Sequence, residues 1–200
     1  DAVWTDLITN VGYTIGFLIA ILSHMQLFTE NTITTVVRLF NPFTFDKLRA
    51  VGRLWGIVIL CNIIGTALAS LFFLTTHLFT PGIDKALDEL ALHVGSFSAT
   101  QNLLKGIMSG LLIAALVWML PSVSNKFLLI FFMTYLIGLG DFTHVVVGST
   151  EMSYLVWQGE ASINEYLFTF LVPTTIGNIV GGTGVFTLLI YGQVTEELEQ

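Results

Sequence analysis

The chain has 200 residues, 54% of them hydrophobic and only 10% charged, with 7 basic residues against 14 acidic and a formal charge of −7. A surface that faces water needs about a quarter of its residues charged, so this composition excludes an ordinary soluble domain, and the acidic balance excludes a basic face for nucleic acid. The single Cys61 excludes an internal disulfide framework and a Cys-rich metal site, and is read as a small buried apolar residue.

A bilayer crossing needs about 20 apolar residues. The first residues, DAVWTDLITN, lack the regions of a secretory signal, and a truncated N-terminus is expected. Apolar residues run from Leu7 to Leu22, give way to SHMQLFTENT, and resume from Ile33 to Phe43. This pattern predicts one span broken in the middle, over about 7–43. An intact span follows at 54–79, and an outer loop at 80–100 has the spacing of a surface helix. The second part of the chain predicts an intact span at 102–120, a broken one at 127–157 interrupted by DFTH, an intact one at 166–191, and a tail at 192–200. Arg38, Lys47, Arg49, Arg53 and Lys126 put their loops on the cytoplasmic side, so the acidic loops face outward and the tail returns to the cytoplasm.

Two echoes connect the parts. CNIIGTAL at 61–68 resembles GNIVGGTG at 177–184, with Asn62 and Asn178 116 residues apart; Phe28–Thr29 resembles Phe142–Thr143 at a separation of 114. Nearly equal offsets predict a duplication, with half-repeats at 1–79 and 101–191. The second half begins with the intact span 102–120, whose counterpart would precede residue 1. Restoring that first helix gives three spans per half, and an odd number makes the repeat inverted. Breaks in lipid are costly unless protein or a water-filled cavity satisfies the freed backbone, so they predict a lined pathway. The half-helix N-termini, expected just after Glu30 and at His144, would direct partial positive charge at an anion.

His144 is the leading candidate, since an ionisable residue within a span is functional by default; a buried histidine satisfied by a neighbouring carbonyl is the alternative. His24 is a weaker candidate, and His77 and His93 read as interfacial. Asn62 and Asn178 suit unpaired backbone groups at the breaks, in a structural role on the pore side. Glu30 and Asp141 are read as proton relays, partners of Arg38 or Lys105, or helix caps. The GxxxG pairs Gly52/Gly56, Gly106/Gly110 and Gly177/Gly181 predict close helix approach. Ser149 lies near His144, but no activating pattern supports an enzyme. No spacing supports a metal site, and no cofactor is expected.

LFT at 27–29, GIMSGLLIAALVWM at 106–119, FTH at 142–144 and PTTIGNIVGG at 173–182 resemble motifs of the formate/nitrite transporter family. The resemblance covers essentially the whole chain. It implies an all-α, aquaporin-like protein of three plus three helices, here without its first helix, assembled as a homopentamer with a pore in each protomer. His144 would be the central histidine; Leu27, Phe28 and Thr29 the loop in the broken second helix; Phe142 and Thr143 its neighbours in the other break; Phe17 and Ile137 members of the apolar constrictions. Thr143 replaces the family's glutamate, Gly110 an asparagine, and His93 alone could carry charge where an outer lysine is expected.

These readings predict a multi-pass protein, of a bacterial inner membrane, that passes small monovalent anions such as formate, nitrite or hydrosulfide together with protons. The alternatives are a neutral-solute pore, which the extra acids favour, and a non-transporting membrane scaffold.

Overall fold

In the computed structural model, residues 2–39, 44–76 and 78–186 are described, and they form eight α-helices. They are α1 (Ala2–Leu22), α2 (Phe28–Leu39), α3 (Phe45–Thr76), α4 (Pro81–Gly95), α5 (Ala99–Met119), α6 (Lys126–Leu139), α7 (Val145–Gln158) and α8 (Val172–Ile179). His77, the side chain of Arg38, the end of the last expected span and the tail lie outside the described residues.

Two of these helices are long and apolar enough to cross a membrane. Helix α3 has 32 residues, and α5 continues through a 3-10 turn at Leu120–Ser122. At 1.5 Å per residue α3 is about 48 Å long, more than the hydrocarbon thickness. It starts nine residues before the expected span because Lys47, Arg49 and Arg53 ride on added turns that water can solvate. Large apolar side chains such as Ile57, Leu60, Ile64, Leu68 and Phe72 are exposed along it, as suits a helix whose solvent is lipid.

The ends of the helices are written in short signals. Ser98 and Gln101 form a capping box at the start of α5, and Ser162 and Glu165 exchange the same two bonds before the last segment. Pro81 opens α4, where its missing N–H costs nothing. Wide π turns flank α8, over Glu165–Leu171 and Val180–Val185: Val172 N–H reaches the carbonyl of Leu167, and Phe186 N–H that of Gly181.

Both broken spans are broken in the same way. After α1, His24 takes φ +56°, with His24 N–H donating to Ile21 O (3.1 Å) and Met25 N–H to Ala20 O (2.9 Å). After α6, Asp141 takes φ +54°, with Asp141 N–H donating to Gly138 O (3.0 Å) and Phe142 N–H to Ile137 O (3.0 Å). These are two left-handed helix stops, each built on a non-glycine residue. Every member of one lies 117 residues from its counterpart in the other. The sequence echo of Phe28–Thr29 with Phe142–Thr143 is therefore three residues out of register; Phe28 is matched by Val145.

The second half is tightly closed by glycine. A Cβ on Gly177 would overlap the carbonyl of Leu103, one on Gly181 that of Ile107, and one on Gly110 that of Asn178, so α5 and α8 touch backbone to backbone. The expected pair Gly52/Gly56 behaves differently. Nothing lies within 4 Å of a Cβ at Gly52, Gly56 or Gly65, which point to different sides of α3, and Cys61, expected to be buried, is exposed: no described element covers α3 at these positions.

Candidate functional site

The two asparagines hold the breaks open from neighbouring helices. Asn62 of α3 accepts from Phe28 N–H (3.0 Å), the first residue of α2, and donates to Gln26 O (3.1 Å). Asn178 of α8 accepts from Val145 N–H (3.0 Å), the first residue of α7, and donates to Thr143 O (3.2 Å). The acceptor and donor thus occupy the same places relative to each half-helix. Asn178 makes one bond more, to Gly106 O of α5 (2.9 Å), and is fully buried.

Between the two N-termini sits His144, 2% exposed. It is the N-cap of α7: its Nδ1 accepts a long bond from Val147 N–H (3.4 Å). An accepting Nδ1 leaves the proton of the neutral ring on Nε2. That nitrogen lies 2.5 Å from the hydroxyl of Thr29, in the first turn of α2. The pair joins the two half-helices across 115 residues of sequence. The N–H groups of Thr29, Glu30 and Val146 have no acceptor among the described residues. Together with the helix dipoles they leave donors at the centre for a negatively charged guest.

Apolar walls enclose this centre. The ring of Phe17 meets His144 edge-on at 5.0 Å, and Phe17 packs with Ile137, both buried, while Leu27, Phe142 and Val147 complete the cluster. An outer cavity of about 110 Å³, next to the expected outer loop through His93, reaches His144 past Asp141, Phe142 and Thr143. A groove of about 390 Å³, which shares Tyr13, His144, Val147 and Glu151 with it, runs between α1 and α7 from Gly12 and Gly16 to Leu27 and His144. With roughly 30 Å³ per water in the liquid, the smaller space suits a guest of a few heavy atoms.

The structure brings His144, Thr29, Leu27, Phe17, Ile137, Phe142 and Thr143 together, with the Thr143 hydroxyl turned to Asn102 O (3.0 Å). Phe28 is elsewhere: its ring packs on Trp55 (5.8 Å) with Val58 and Val145. Helix α2 begins at Phe28 rather than after Glu30, so Thr29 and Glu30 belong to a first turn and not to a loop. Neither acid caps a half-helix, since the asparagines and His144 supply those acceptors. Asp141 instead accepts from Lys105 (2.7 Å) and His93 (3.1 Å), and Lys105 also donates to Asp141 O (2.9 Å) over the ring of Phe97. Glu30 keeps one buried carboxyl oxygen without a hydrogen-bond partner among the described residues. His24 is exposed at its helix stop, away from His144. Ser149 does not bond His144, whose partner is Thr29. No group of three or more metal-ligating side chains occurs among the described residues.

Sequence reading passed over Tyr13 and Glu151, which line both spaces. The signal for Glu151 was present: an acid within a span, seven residues after His144, returns to the same helical face.

A family profile described as Formate/nitrite transporter matches residues 2–192. The chain is 39% identical over 193 residues to the Inner membrane protein YfdC of Escherichia coli, covering 96% of this chain and 62% of that protein. It therefore spans less than two thirds of that relative's length. Among solved structures it is similar to a pentameric formate channel with formate bound (TM-score 0.81, 19% identity, 96% of this chain and 83% of that one) and to an FNT family ion channel (TM-score 0.75, 21% identity, 97% and 79%). At these identities the two structures show the fold.

Proposed function

The chain belongs to the formate/nitrite transporter family, a family of multi-pass membrane transporters and not of enzymes, and we propose that this member passes small monovalent anions such as formate or nitrite through a pore centred on His144. The observation that carries the reading is the meeting of two half-helix N-termini at the His144–Thr29 pair, with the N–H groups of Thr29, Glu30 and Val146 left over as donors. An anion there is held by dipoles, by the free backbone N–H groups and by the Thr29 hydroxyl, whose oxygen accepts from His144 Nε2–H, without a fixed cation that would trap it. The apolar walls of Phe17, Ile137, Leu27 and Phe142 strip hydration and reject large solvated ions.

The architecture behind this reading is an inverted repeat of three plus three helices. The equal stops at His24 and Asp141 and the matching bonds of Asn62 and Asn178 support it. In such a repeat a further helix, the counterpart of α5, lies against α3 at Gly65, the counterpart of Gly181 at the offset of the two asparagines, where no described atom lies within 4 Å of a Cβ. A homopentamer in a bacterial inner membrane is the assembly that the similar proteins suggest.

Transport in this reading is proton-linked, with His144 at the centre of the path. Full-length protein reconstituted in liposomes should carry formate and nitrite faster at pH 5 than at pH 8, and His144→Ala should flatten that dependence. Swelling in glycerol or urea without anion flux would decide for a neutral-solute pore, and no flux of any small solute for a scaffold.

A further inference from the structure

Glu151 is an acid for which no described residue forms a hydrogen bond or an ion pair. It stands on α7 seven residues beyond His144, two helical turns and about 10 Å along the axis, on nearly the same face. It lines both the outer cavity and the α1–α7 groove, the two spaces that also reach His144. The basic groups at this end of the molecule are committed elsewhere, since Lys105 and His93 both bond Asp141.

Among the described residues the titratable groups facing Glu151 are few. Tyr13 of α1 stands across both spaces, Asp141 approaches from the break, and His144 lies at the start of its own helix; from α4, His93 lies beyond Asp141. No titratable residue of α3 lines either space. An ionised carboxylate here has little to offset its burial among apolar walls. It would also oppose any anion at the His144 donors. Two like charges about 10 Å apart, at the effective dielectric of about 20 that suits protein sites, weaken binding roughly tenfold or somewhat more. Placing a proton on Glu151 removes that opposition. By linkage the relation is reciprocal: an anion at His144 and a proton on Glu151 favour each other by the same factor.

We propose that Glu151 couples the pore's anion to a proton: its carboxyl exchanges protons with the outer cavity, and an anion at the His144 donors raises its proton occupancy. The inference rests on the anion reading given above. It assigns the coupling to a side chain outside the two breaks, at a position where His144 can act as hydrogen-bond donor without itself changing charge.

The test uses purified full-length protein in weakly buffered detergent solution at pH 7 and pH 9, with potassium formate as the probe, a pH indicator for proton uptake and calorimetry for affinity. The parent should take up protons as formate binds. Glu151→Gln should lose most of that uptake and bind formate about tenfold more tightly at pH 9, where the parent carboxylate is ionised, with a smaller gain at pH 7, and Glu151→Asp, which keeps the carboxyl, should restore the uptake. Formate binding by the parent with uptake and affinity unchanged in Glu151→Gln would overturn this inference alone. Absence of formate binding in the parent and both variants would overturn the anion reading, and the coupling with it.

Discussion

Replacing Asn178 by alanine should be the most damaging single deletion of a polar group in the breaks. The amide makes three bonds, to Val145 N–H, Thr143 O and Gly106 O, at 0% exposure. A side-chain bond within a membrane averages about 0.6 kcal/mol and reaches about 1.7. A buried backbone group left without a partner costs about 1–3 kcal/mol in protein interiors. Three such losses give roughly 2–5 kcal/mol. Asn62 makes two bonds, and its donor side faces an open surface, so Asn62→Ala should cost about 1–2 kcal/mol in the chain as described. A difference of 2 kcal/mol is about 30-fold in the unfolding equilibrium. Both variants can be unfolded by SDS titration in mixed micelles, followed by tryptophan fluorescence. Asn178→Ala within about 0.5 kcal/mol of the parent, or Asn62→Ala the more damaging of the two, would refute the reasoning.

Gly181→Ala should destabilise the protein by about 1–3 kcal/mol, because its Cβ would overlap the backbone of α5. In the full-length protein Gly65→Ala should cost a similar amount through the helix proposed to cover α3; a neutral Gly65→Ala in the same SDS titration would remove that helix. The Glu165 carboxylate is held below its ordinary range by hydrogen bonds from the Ser162 backbone N–H and hydroxyl. A depressed carboxylate contributes stability above its unfolded value near 4.3 and loses it as the pH falls through the folded value. Amides 165–168 should therefore show lower protection factors, the observed exchange rates corrected for the intrinsic rate at each pH, below about pH 4 than at pH 6, and Ser162→Ala should erase the difference.

Much of this arrangement is legible from the residues. Long apolar runs locate the spans, and the interruptions SHMQLFTENT and DFTH locate the breaks, because composition changes wherever the backbone must leave a helix. The register of the repeat is not legible in the same way. Phe28–Thr29 and Phe142–Thr143 look alike but do different jobs, since Phe28 packs on Trp55 while Phe142 borders the cavity. The true correspondence is carried by backbone conformation at His24 and Asp141, two residues with no chemical likeness. Asp141 likewise looks like a cap for the helix after it. It is instead the stop of the helix before it, with a side chain free to meet Lys105 and His93 from helices distant in sequence. Pairings of that kind need the tertiary contacts before they can be read.

The amides of Asn62 and Asn178 also bear on how the chain is made. Each half-helix depends on an acceptor that is synthesised 34 or 33 residues after its own first N–H. Until that later helix arrives beside it, the start of α2 or α7 sits in the bilayer with an unmet donor, which lipid penalises. Insertion one helix at a time is therefore unfavourable at these points, and a broken span and the intact span behind it should leave the translocation machinery as a couple. Because each bond closes within its own half, the early half can settle before the late half is translated.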